Sequence, residues 1–405
     1  MFYLNYCGIV CASGSGLAAV RSTLFDTGQP AMRWTDAWSP GRQLPLGGID
    51  PAIELPAMHN RPVQQQSRNN RLALAALAQI RSAVDDAVGR FGADRIGVVI
   101  GTSTSGIAET EAALRTMHSS DEGLPKSFHY EQQELGSVAQ MLAAELGVTG
   151  PGYVHSSACS SSAKALASAA RLIQHGLCDV VLCGGVDSLC RLTVAGFTSL
   201  DLVSSNVCNP FSANRDGINI GEGAALFLMS RERLTGGSCV ALCGWGESSD
   251  GYHMSAPEPN GRGARLAITT ALQRAGIGSG GSRPRQIDYI NLHGTATVQN
   301  DQIEAQVVHD LFGSAVPVSS TKPFTGHALG AASALEAALC WLTMQDDNVD
   351  GLLPAHVWDG MRDPALPALN LVVPGYRLNR PVQWALSNSF AFGGSNAALV
   401  MGNMP

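Results

Sequence analysis

The sequence has few charged residues and no excess of positive charge. Charged residues make up 15% of the 405 positions, and 26 Lys and Arg against 33 Asp and Glu give a net charge of −7. Nucleic-acid-binding proteins usually carry a basic excess, so that function class is disfavoured. No apolar run approaches the roughly 18 residues that a membrane helix needs. The first residues also lack the basic start and long apolar stretch of a signal peptide.

The cysteines show no pattern of a metal or redox site. None of the ten forms a CxxC pair, and no Cys/His spacing typical of structural zinc is present. They are scattered through apolar segments, which is typical of proteins from a reducing compartment. We therefore expect a cytoplasmic protein without a membrane span.

Hydrophobic residues and glycine are abundant, at 45% of the chain and 45 residues respectively. This indicates a large core with many tight turns, in two to three domains or one large α/β unit. Short apolar runs alternate with Ala-rich amphipathic runs, which predicts an α/β protein with largely parallel sheets. The predicted strands are 96–100, 180–183, 224–229, 289–292 and 397–401, and the predicted helices are 71–88, 132–146, 163–175, 264–275, 302–311 and 331–344.

Two similar phrases indicate an internal duplication. GEGAALFLM ends at Met229 and GGSNAALVM ends at Met401. A composition break at 230–237 lies between them, and a second break follows at 278–285. We place the boundary at the first break, which gives an N-terminal half of residues 1–236 and a C-terminal half of residues 237–405.

The segment 154–162, VHSSACSSS, is the first candidate for chemistry. It places Cys159 where a predicted strand turns into a predicted helix, among small residues that leave a side chain exposed in a tight turn. The positive end of a helix stabilises a thiolate, so we expect the pKa of the Cys159 thiol to fall. The alternative is a buried, inert cysteine, which is what most free cysteines are.

Three further segments carry Gly-bearing turns. They are NLHGTATVQND at 291–301, SSTKPFTGHALG at 319–330 and LSNSFAFGGSN at 386–396. His293 follows a predicted strand, at the edge where α/β proteins place their sites. His327 lies between two glycines in the second segment. The alternative for each histidine is a core position with a hydrogen bond to the backbone.

Cysteine and two histidines in such turns fit thiol chemistry on an acyl group. The thiol attacks a thioester carbonyl and holds the acyl group, while backbone N–H groups near Cys159 and Phe392 hold the oxyanion. Two neutral histidines donate hydrogen bonds to an enolate that forms when carbon dioxide leaves. A metal site would need a closer ligand set, so the acyl chemistry is preferred.

These segments resemble the β-ketoacyl-acyl-carrier-protein synthases of the I/II type. The family has a Cys elbow, an HGT strand end, a K-x-x-x-GH-x-x-G-A-A segment and a SNSFGFGG-N segment. This chain has SSACSSSA, HGTAT, KPFTGHALGAA and SNSFAFGGSN, and also FSANRDGINIGEGA and YHMSAP. The resemblance extends from about residue 5 to the end of the chain.

The resemblance implies a role for each matching residue. Cys159 is similar to the nucleophile, and His293 and His327 to the pair that promotes malonyl decarboxylation. Lys322 is similar to the lysine that supports the second histidine, although a surface lysine is the simpler expectation. Glu336 is similar to the glutamate that organises the site, where the alternative is a solvated helix carboxylate.

Further residues are implied on the substrate side. Phe392 is similar to the gatekeeper of the family, followed by Gly393 in a flexible turn. Thr295 and Thr297 are similar to the threonines that contact pantetheine. Pocket depth is expected to depend on 104–111, on Phe197 and on a partner chain. Some members enclose a monovalent cation, and the matching positions here are Asn291, Glu336, Ser387, Asn388 and Asn396.

The family also implies a thiolase-like fold, in which two pseudo-duplicated α/β halves form a five-layered αβαβα sandwich. It implies acyl carrier protein as a partner, with Arg68 and Arg71 as docking candidates, and no cofactor beyond the phosphopantetheine that the carrier brings. A homodimer, or a heterodimer with a chain-length factor, is implied, with the 153–156 strand near the partner.

The chain departs from the family at several positions. The elbow is C-S-S-S instead of C-x-S/T-G, Ala391 replaces a usual Gly, and Val298 stands where Pro is common. These features resemble the divergent synthases of aryl-polyene or related type II polyketide clusters more than those of fatty acid synthesis. The main alternative is a non-catalytic chain-length-factor-like subunit, although such subunits usually lack the cysteine. A degradative thiolase would need a second, late catalytic cysteine.

Overall fold

The computed structural model describes residues 1–119, 123–278 and 287–404. The strands in these ranges are β1 (Phe2–Cys11), β2 (Gly14–Ser15), β3 (Arg33–Thr35), β4 (Leu44–Leu46), β5 (Ile96–Gly101), β6 (Gly152–His155), β7 (Val180–Asp187), β8 (Gly223–Ser230), β9 (Val240–Ser249), β10 (Tyr289–Asn291), β11 (Pro317–Ser319), β12 (Asn370–Leu371), β13 (Trp384–Ala391) and β14 (Ser395–Asn403). The α-helices are α1 (Leu17–Arg21), α2 (Arg68–Ala78), α3 (Arg81–Phe91), α4 (Ile107–Ser119), α5 (Ser137–Leu146), α6 (Ser161–Gln174), α7 (Arg191–Ser199), α8 (Arg262–Arg274), α9 (Val298–Phe312), α10 (Lys322–Thr325) and α11 (Ala332–Thr343). In these ranges no helix is long and apolar enough to cross a membrane.

The strand order repeats, and this confirms the expected duplication. The main sheet runs β12-β11-β10-β13-β14-β9-β1-β8-β7-β5-β6, with β2 paired to β1. Numbered within each half, β1, β5, β6, β7 and β8 follow the order 3-2-4-5-1, and so do β9, β10, β11, β13 and β14. In both halves the second strand pairs in parallel with the third and the fourth, and the fourth and fifth strands are antiparallel. The exact boundary at residues 236 and 237 stays a prediction.

The buried side chains form the five expected layers. One core contains residues of α6 and α11 together with inward-facing strand residues of both halves. A second core joins α2, α3 and α5 to the outer face of the N-terminal strands. A third joins α8 and α9 to the outer face of the C-terminal strands. The chain therefore has the αβαβα arrangement, and α6 and α11 form its central layer. Strands buried on both faces need continuous apolar runs, as in VVLC and AALFLM.

Most predicted elements are found, but the helix predicted at 71–88 is two helices. The chain turns at Gln79, where the side-chain amide bonds both the N–H and the carbonyl oxygen of Ile9 on β1, each at 2.9 Å. The Gln79 side chain therefore bonds the backbone of β1 as a neighbouring strand would, at the point where α2 ends. Gln132, the predicted start of another helix, lies in a 3₁₀ turn at Tyr130–Gln133, and α5 begins at Ser137. The composition break at 278–285 lies largely outside the described residues.

Two glycines let the central helix α6 start close against the sheet. A Cβ on Gly101 would lie 2.3 Å from the backbone nitrogen of Ser162, and one on Gly185 would lie 2.5 Å from Ser162 Cβ. Real Cβ atoms do not approach that closely, so these positions on β5 and β7 require glycine. The first turn of α6 is thereby fixed beside the ends of β5, β6 and β7.

Candidate active site

Cys159 lies in a sharp turn between the end of β6 and the start of α6. Ala158 has a φ of 50°, a left-handed conformation that is uncommon for a residue with a side chain. Ser161 Oγ accepts a hydrogen bond from the N–H of Ser157 at 2.9 Å and donates to the carbonyl of Ala158 at 2.5 Å. The strained turn is therefore held by hydroxyl groups, and it directs the thiol into a cavity.

The Cys159 sulfur contacts groups from the other half of the chain. Its Sγ lies 2.9 Å from His327 Nε2, and the Phe392 N–H donates to it. Burial raises the pKa of the thiol to about 12, although Lys322 and the Phe392 N–H act in the opposite direction. The expected fall of the thiol pKa is therefore wrong, because desolvation outweighs the helix N-terminus.

His293 and His327 face each other beside this sulfur. Their rings are in T-shaped contact with centroids 5.4 Å apart. Burial holds the pKa of both histidines well below 6.5, and the nearby Lys322 charge acts in the same direction. Both rings are therefore neutral near pH 7, so each has one N–H donor and one acceptor nitrogen.

Glu304 on α9 fixes the backbone of the first histidine. Its two carboxyl oxygens accept hydrogen bonds from the N–H of His293 at 2.8 Å and of Gly294 at 2.7 Å. Burial raises the pKa of Glu304 to about 7, and these two N–H donors lower it. Sequence analysis missed this residue, because its helical position gives no sign that it reaches back to the turn.

Lys322 and Glu336 form an ion pair inside the protein. The Lys322 ammonium contacts a Glu336 carboxyl oxygen, and both side chains are only 1% exposed. Burial raises the pKa of Glu336, while the Lys322 charge opposes that rise. The simpler expectations of a surface lysine and a solvated carboxylate are therefore wrong for this chain.

His356 is a second residue that sequence analysis missed. Its Nδ1 accepts from the N–H of Ser320 at 3.1 Å, so the other nitrogen carries the proton and donates to the carbonyl of Pro210 at 3.0 Å. Ser320 Oγ in turn donates to the carbonyl of Gly294 at 2.7 Å. His356 is thus connected through Ser320 to the turn that carries His293.

A cavity of about 410 Å³ opens onto these groups. Its lining includes Cys159, both histidines, and four of the predicted substrate-side residues: Thr295, Thr297, Phe197 and Phe392. Thr295 and Thr297 hydroxyls lie 2.9 Å apart, and the rings of Phe197 and Phe392 are 5.5 Å apart. Gly393, with a φ of 75°, follows Phe392 in the exposed turn. No residue of 104–111 lines this cavity, so the expected role of that segment in pocket depth finds no support here.

Comparison with known proteins places this site in a family. The β-ketoacyl synthase N-terminal domain matches residues 54–234, and the β-ketoacyl synthase C-terminal domain matches residues 240–355. The chain belongs to the β-ketoacyl synthase family. The 3-oxoacyl-(acyl-carrier-protein) synthase 2 of Staphylococcus aureus (strain COL) is 31% identical over 354 residues, which are 83% of each chain.

Solved structures of ketosynthases share the fold along the whole chain. A ketosynthase (ApeO) in complex with its chain length factor (ApeC) from Xenorhabdus doucetiae has a TM-score of 0.89 and 44% identity, over 99% of this chain and 98% of that one. A β-ketoacyl synthase from Burkholderia phymatum STM815 has a TM-score of 0.84 and 27% identity, over 100% and 99%. The fold expected from the sequence is therefore confirmed.

The cation positions of some family members are only partly matched. Asn291 and Ser387 are paired in register on β10 and β13, so they share one face. In the described part of the chain, Asn291 Oδ1, Ser387 Oγ and Glu336 Oε2 are buried without a hydrogen-bond partner, as is Asn388 Oδ1. Asn291 Oδ1, Ser387 Oγ and Glu336 Oε2 are oxygens of the type that binds a monovalent cation, whereas Asn388 follows Ser387 on β13, faces the other side of the sheet and donates to Glu304 Oε1 at 3.2 Å. Asn396 is not among these unpartnered oxygens, and its amide nitrogen donates to Asp250 Oδ1 at 2.7 Å and to the carbonyl of Gly394 at 3.1 Å, so its place in the cation set stays a prediction.

The side chains of Cys159, His293 and His327 also form a possible ligand set for a transition metal. One ligand atom each of Cys159, His293 and His327 lie within 4.8 Å of one another. The sequence had indicated no such close ligand set, so this convergence is a finding of the structure. Neutral imidazoles and a thiolate are ligands that suit zinc.

The two arginines expected to dock a carrier protein have partners inside the chain. Arg68 forms a two-pronged contact with the buried Glu222 carboxylate. Arg71 donates to the carbonyl oxygens of Pro56 and Leu55, each at 2.9 Å. Their geometry is explained by these contacts, and their docking role stays a prediction.

Proposed function

We propose that the chain is a β-ketoacyl-acyl-carrier-protein synthase that condenses an acyl group held on Cys159 with malonyl-carrier. The observation that carries this proposal is the contact of Cys159 Sγ with His327 Nε2 at 2.9 Å, with His293 against the same histidine. This arrangement joins a nucleophile to two neutral hydrogen-bond donors inside one cavity.

The first step transfers the acyl group. Cys159 sulfur attacks the thioester carbonyl of the acyl carrier, and its proton passes through His327 to the departing pantetheine thiol. The carbonyl oxygen becomes an oxyanion, and the N–H groups of Cys159 and Phe392 are placed to stabilise it. Because burial keeps the thiol protonated at rest, the neighbouring base is needed at the moment of attack.

The second step makes the carbon nucleophile. The bond from the malonyl methylene carbon to its carboxylate breaks, carbon dioxide leaves, and the electron pair forms an enolate on the thioester. His293 and His327 donate N–H hydrogen bonds to the enolate oxygen, which neutral rings can do without losing a proton. The enolate carbon then attacks the acyl group on Cys159, and the released thiolate takes up a proton.

The residues that line the cavity support an assignment of the groups that contact the substrate. Thr295 and Thr297 offer hydroxyl groups along the entrance, which suit the amide groups of a pantetheine arm. The Phe392 ring is tilted by 38° against that of Phe197, and both rings line the cavity that holds the sulfur, which suits a gatekeeper. Lys322 and Glu336 support the histidines from behind, and a monovalent cation held by Asn291, Ser387 and Glu336 would add positive charge there.

The partners we propose are an acyl carrier protein and a second ketosynthase-like subunit. The relatives are named as synthases of 3-oxoacyl-carrier protein, and the ketosynthase at 44% identity was solved with its chain length factor. In the described part of the chain, β6 ends the sheet, so its outer edge is free to pair. Nearby α4 buries only Ala113 and exposes Leu114 and Met117, which supports an interface on this side.

The pathway and the location are proposals as well. A polyketide-type or aryl-polyene-type pathway is favoured over fatty acid synthesis, because the identity is 44% to that ketosynthase and 31% to the 3-oxoacyl synthases. The cytoplasm remains the proposed location. That no cofactor is bound beyond the carrier's phosphopantetheine also stays a prediction.

Intact-mass analysis tests the proposal. Purified protein is mixed with acyl-carrier and malonyl-carrier, with and without a co-expressed chain length factor. We expect a transient acyl adduct on Cys159 and a mass gain on the carrier for the β-ketoacyl product. Neither adduct nor product, across short, long and unsaturated acyl chains and with the partner present, would contradict the proposal and favour a non-catalytic subunit.

A further inference from the structure

Ser160, the first serine of the C-S-S-S nucleophile turn, contacts a second turn of the active site. Ser160 follows Cys159, is fully buried, and has its Oγ 2.9 Å from the carbonyl oxygen of Ser157. The same Oγ lies 3.2 Å from Ser395 Oγ. Ser395 is the first residue of β14, immediately after the Phe392–Gly394 turn. One hydroxyl group therefore contacts both the nucleophile turn and the turn that carries Phe392.

Lys164 completes this contact from the second turn of α6. Its Nζ donates to Ser395 Oγ at 2.6 Å. The ammonium is half-buried, and burial lowers the pKa of Lys164 from its usual value. The Ser395 hydroxyl is the hydrogen-bond partner of this half-buried cation, and Glu247 places an opposite charge near it. Ser160, Lys164 and Ser395 are called the latch below.

The latch contacts the end of the Phe392–Gly394 turn from the side of α6. On the other side, Gly393 N–H donates to the carbonyl of Met254 at 2.8 Å, and Asp250 N–H donates to the carbonyl of Gly394 at 2.9 Å. Those bonds hold the turn to the segment after β9. Among the residues that the structure describes, the latch links the end of this turn to α6, which begins two residues after Cys159, in addition to the Phe392 N–H bond to Cys159 Sγ.

We propose that the latch residues are positioning residues that hold the Phe392 N–H over Cys159 and so set the geometry of the oxyanion hole. The proposal rests on the proposed function, because it assigns the two N–H donors to the acyl-transfer step. Such donors work only when they point to where the charge develops, and a displacement of about 1 Å can cost about 100-fold in rate. The latch joins the two segments that carry these donors.

The proposal predicts a split between the two half-reactions. Acyl transfer to Cys159 uses the oxyanion hole, whereas malonyl decarboxylation uses His293 and His327. Removal of the latch by Lys164→Met or Ser395→Ala should therefore lower the acylation rate of Cys159 by about 10- to 100-fold. Decarboxylation of malonyl-carrier, measured with the same changes in a Cys159→Gln background, should stay within about twofold of the Cys159→Gln variant whose latch is intact.

The experiment measures both rates by intact mass and by carbon dioxide release, on the full chain with its partner subunit. Ser395→Thr keeps the hydroxyl and should restore acylation. Ser168→Ala is the matched control, because it removes a hydroxyl on the same helix that contacts Tyr153 at 2.7 Å instead of the Phe392 turn. A melting temperature for each variant shows whether it is folded.

The outcomes separate the latch from the proposed function. Wild-type protein that forms no acyl adduct would contradict the proposed function itself. Wild-type acylation with unchanged rates in Lys164→Met and Ser395→Ala would overturn the latch alone. An equal loss of acylation and decarboxylation would also overturn it, since a merely structural role lowers both.

Discussion

The two halves of the molecule share one strand order but supply opposite parts of the chemistry. In the N-terminal half the third strand, β6, leads into the Cys159 turn and then into α6. In the C-terminal half the third strand, β11, leads into Lys322 and His327 and then into α11. The central helix α6 therefore begins just after Cys159, and the central helix α11 begins shortly after His327. Duplication brings both strand ends to one cavity.

The two turns are held by different kinds of groups. The hydroxyls of Ser160 and Ser161 bond the backbone of the nucleophile turn, and neither carries charge. Carboxylates and a buried lysine bond the base turns of the C-terminal half, through Glu304 and the Lys322–Glu336 pair. Uncharged partners leave the thiol free to lose its proton only when the base takes it. Burial lowers the pKa of both histidines and keeps them neutral, and the Lys322 charge acts in the same direction.

The largest effect is expected when Cys159 is replaced and the residues of the C-terminal half are left unchanged. Cys159→Ala should lower condensation on the order of 10⁴-fold or more, because no thioester can form on the enzyme. Cys159→Gln should likewise stop condensation but keep malonyl decarboxylation, since His293 and His327 are untouched. Carbon dioxide release and product mass measure the two activities separately.

Cys190→Ala is the control for the loss of a buried thiol. Cys190 is buried and contacts Thr193 at 3.2 Å, but it does not line the cavity. Its replacement should leave condensation near the wild-type rate. Condensation by Cys159→Ala at the wild-type rate would show that the acyl group is held elsewhere.

The next effect tests the buried charges of the C-terminal half. Lys322→Met should cost about 3–5 kcal/mol of unfolding free energy, because Glu336 is left buried without its cation. The double variant Lys322→Met/Glu336→Leu should cost less than the sum of the single changes, since no unpaired charge remains. Chemical denaturation measures both.

An exposed ion pair provides the matched comparison. Arg377 and Asp350 are 3.4 Å apart with side chains 48% and 61% exposed. Arg377→Ala should change stability by less than about 1 kcal/mol. If Lys322→Met also lowered the free energy of unfolding by less than about 1 kcal/mol, the buried pair would contribute no more to stability than the exposed pair.

The sequence predicted the chemistry of both turns better than their supports. Cys159 was predicted from small residues between a strand and a helix, and His293 and His327 from Gly-bearing turns, and the structure brings the three together. Glu304 and His356 were missed because their contacts span folded distances that no local spacing reveals. Asn396 was assigned to the cation set, yet its amide is bonded to Asp250. Such hydrogen-bond partners depend on how separate segments pack in the folded chain. The contact of Gln79 with Ile9, where the helix predicted at 71–88 divides, is another example.

A smaller effect is expected from His356, which supports the His293 turn through Ser320. His356→Ala should lower decarboxylation by about tenfold and leave Cys159 acylation nearly unchanged, which is the reverse of the latch split. His356→Asn should restore most of the rate, because Oδ1 can replace Nδ1 as the acceptor for the Ser320 N–H. His356→Gln places its amide nearer to the Pro210 carbonyl and should restore less. Equal losses in both half-reactions would assign His356 a structural role only.

The same residue gives a pH dependence of stability. Burial lowers the pKa of His356 to about 4. Below about 6.5 the unfolded chain binds a proton at this histidine that the folded chain does not, so wild-type stability is lost as the pH falls. The variant His356→Asn lacks that loss. Its stability deficit relative to wild type should therefore shrink by about 1.4 kcal/mol per pH unit between pH 6 and pH 4.5, and a constant deficit would show that the histidine is not buried neutral.

The smallest expected effect is on the pH dependence of decarboxylation. Burial holds the pKa of His293 and His327 well below 6.5, so both stay neutral as the pH falls from 8 to 6.5. The rate of the Cys159→Gln variant should then change by less than about twofold over this range, whereas a histidine of ordinary pKa would be half protonated at its end. Glu304, whose pKa burial raises to about 7, also titrates here. A step that disappears in Glu304→Gln belongs to that carboxyl group. A step that persists in Glu304→Gln would show that one of the two histidines becomes protonated in this pH range. The interpretation of His293 and His327 as a neutral pair, which distinguishes the C-terminal turns from the nucleophile turn, would then be wrong.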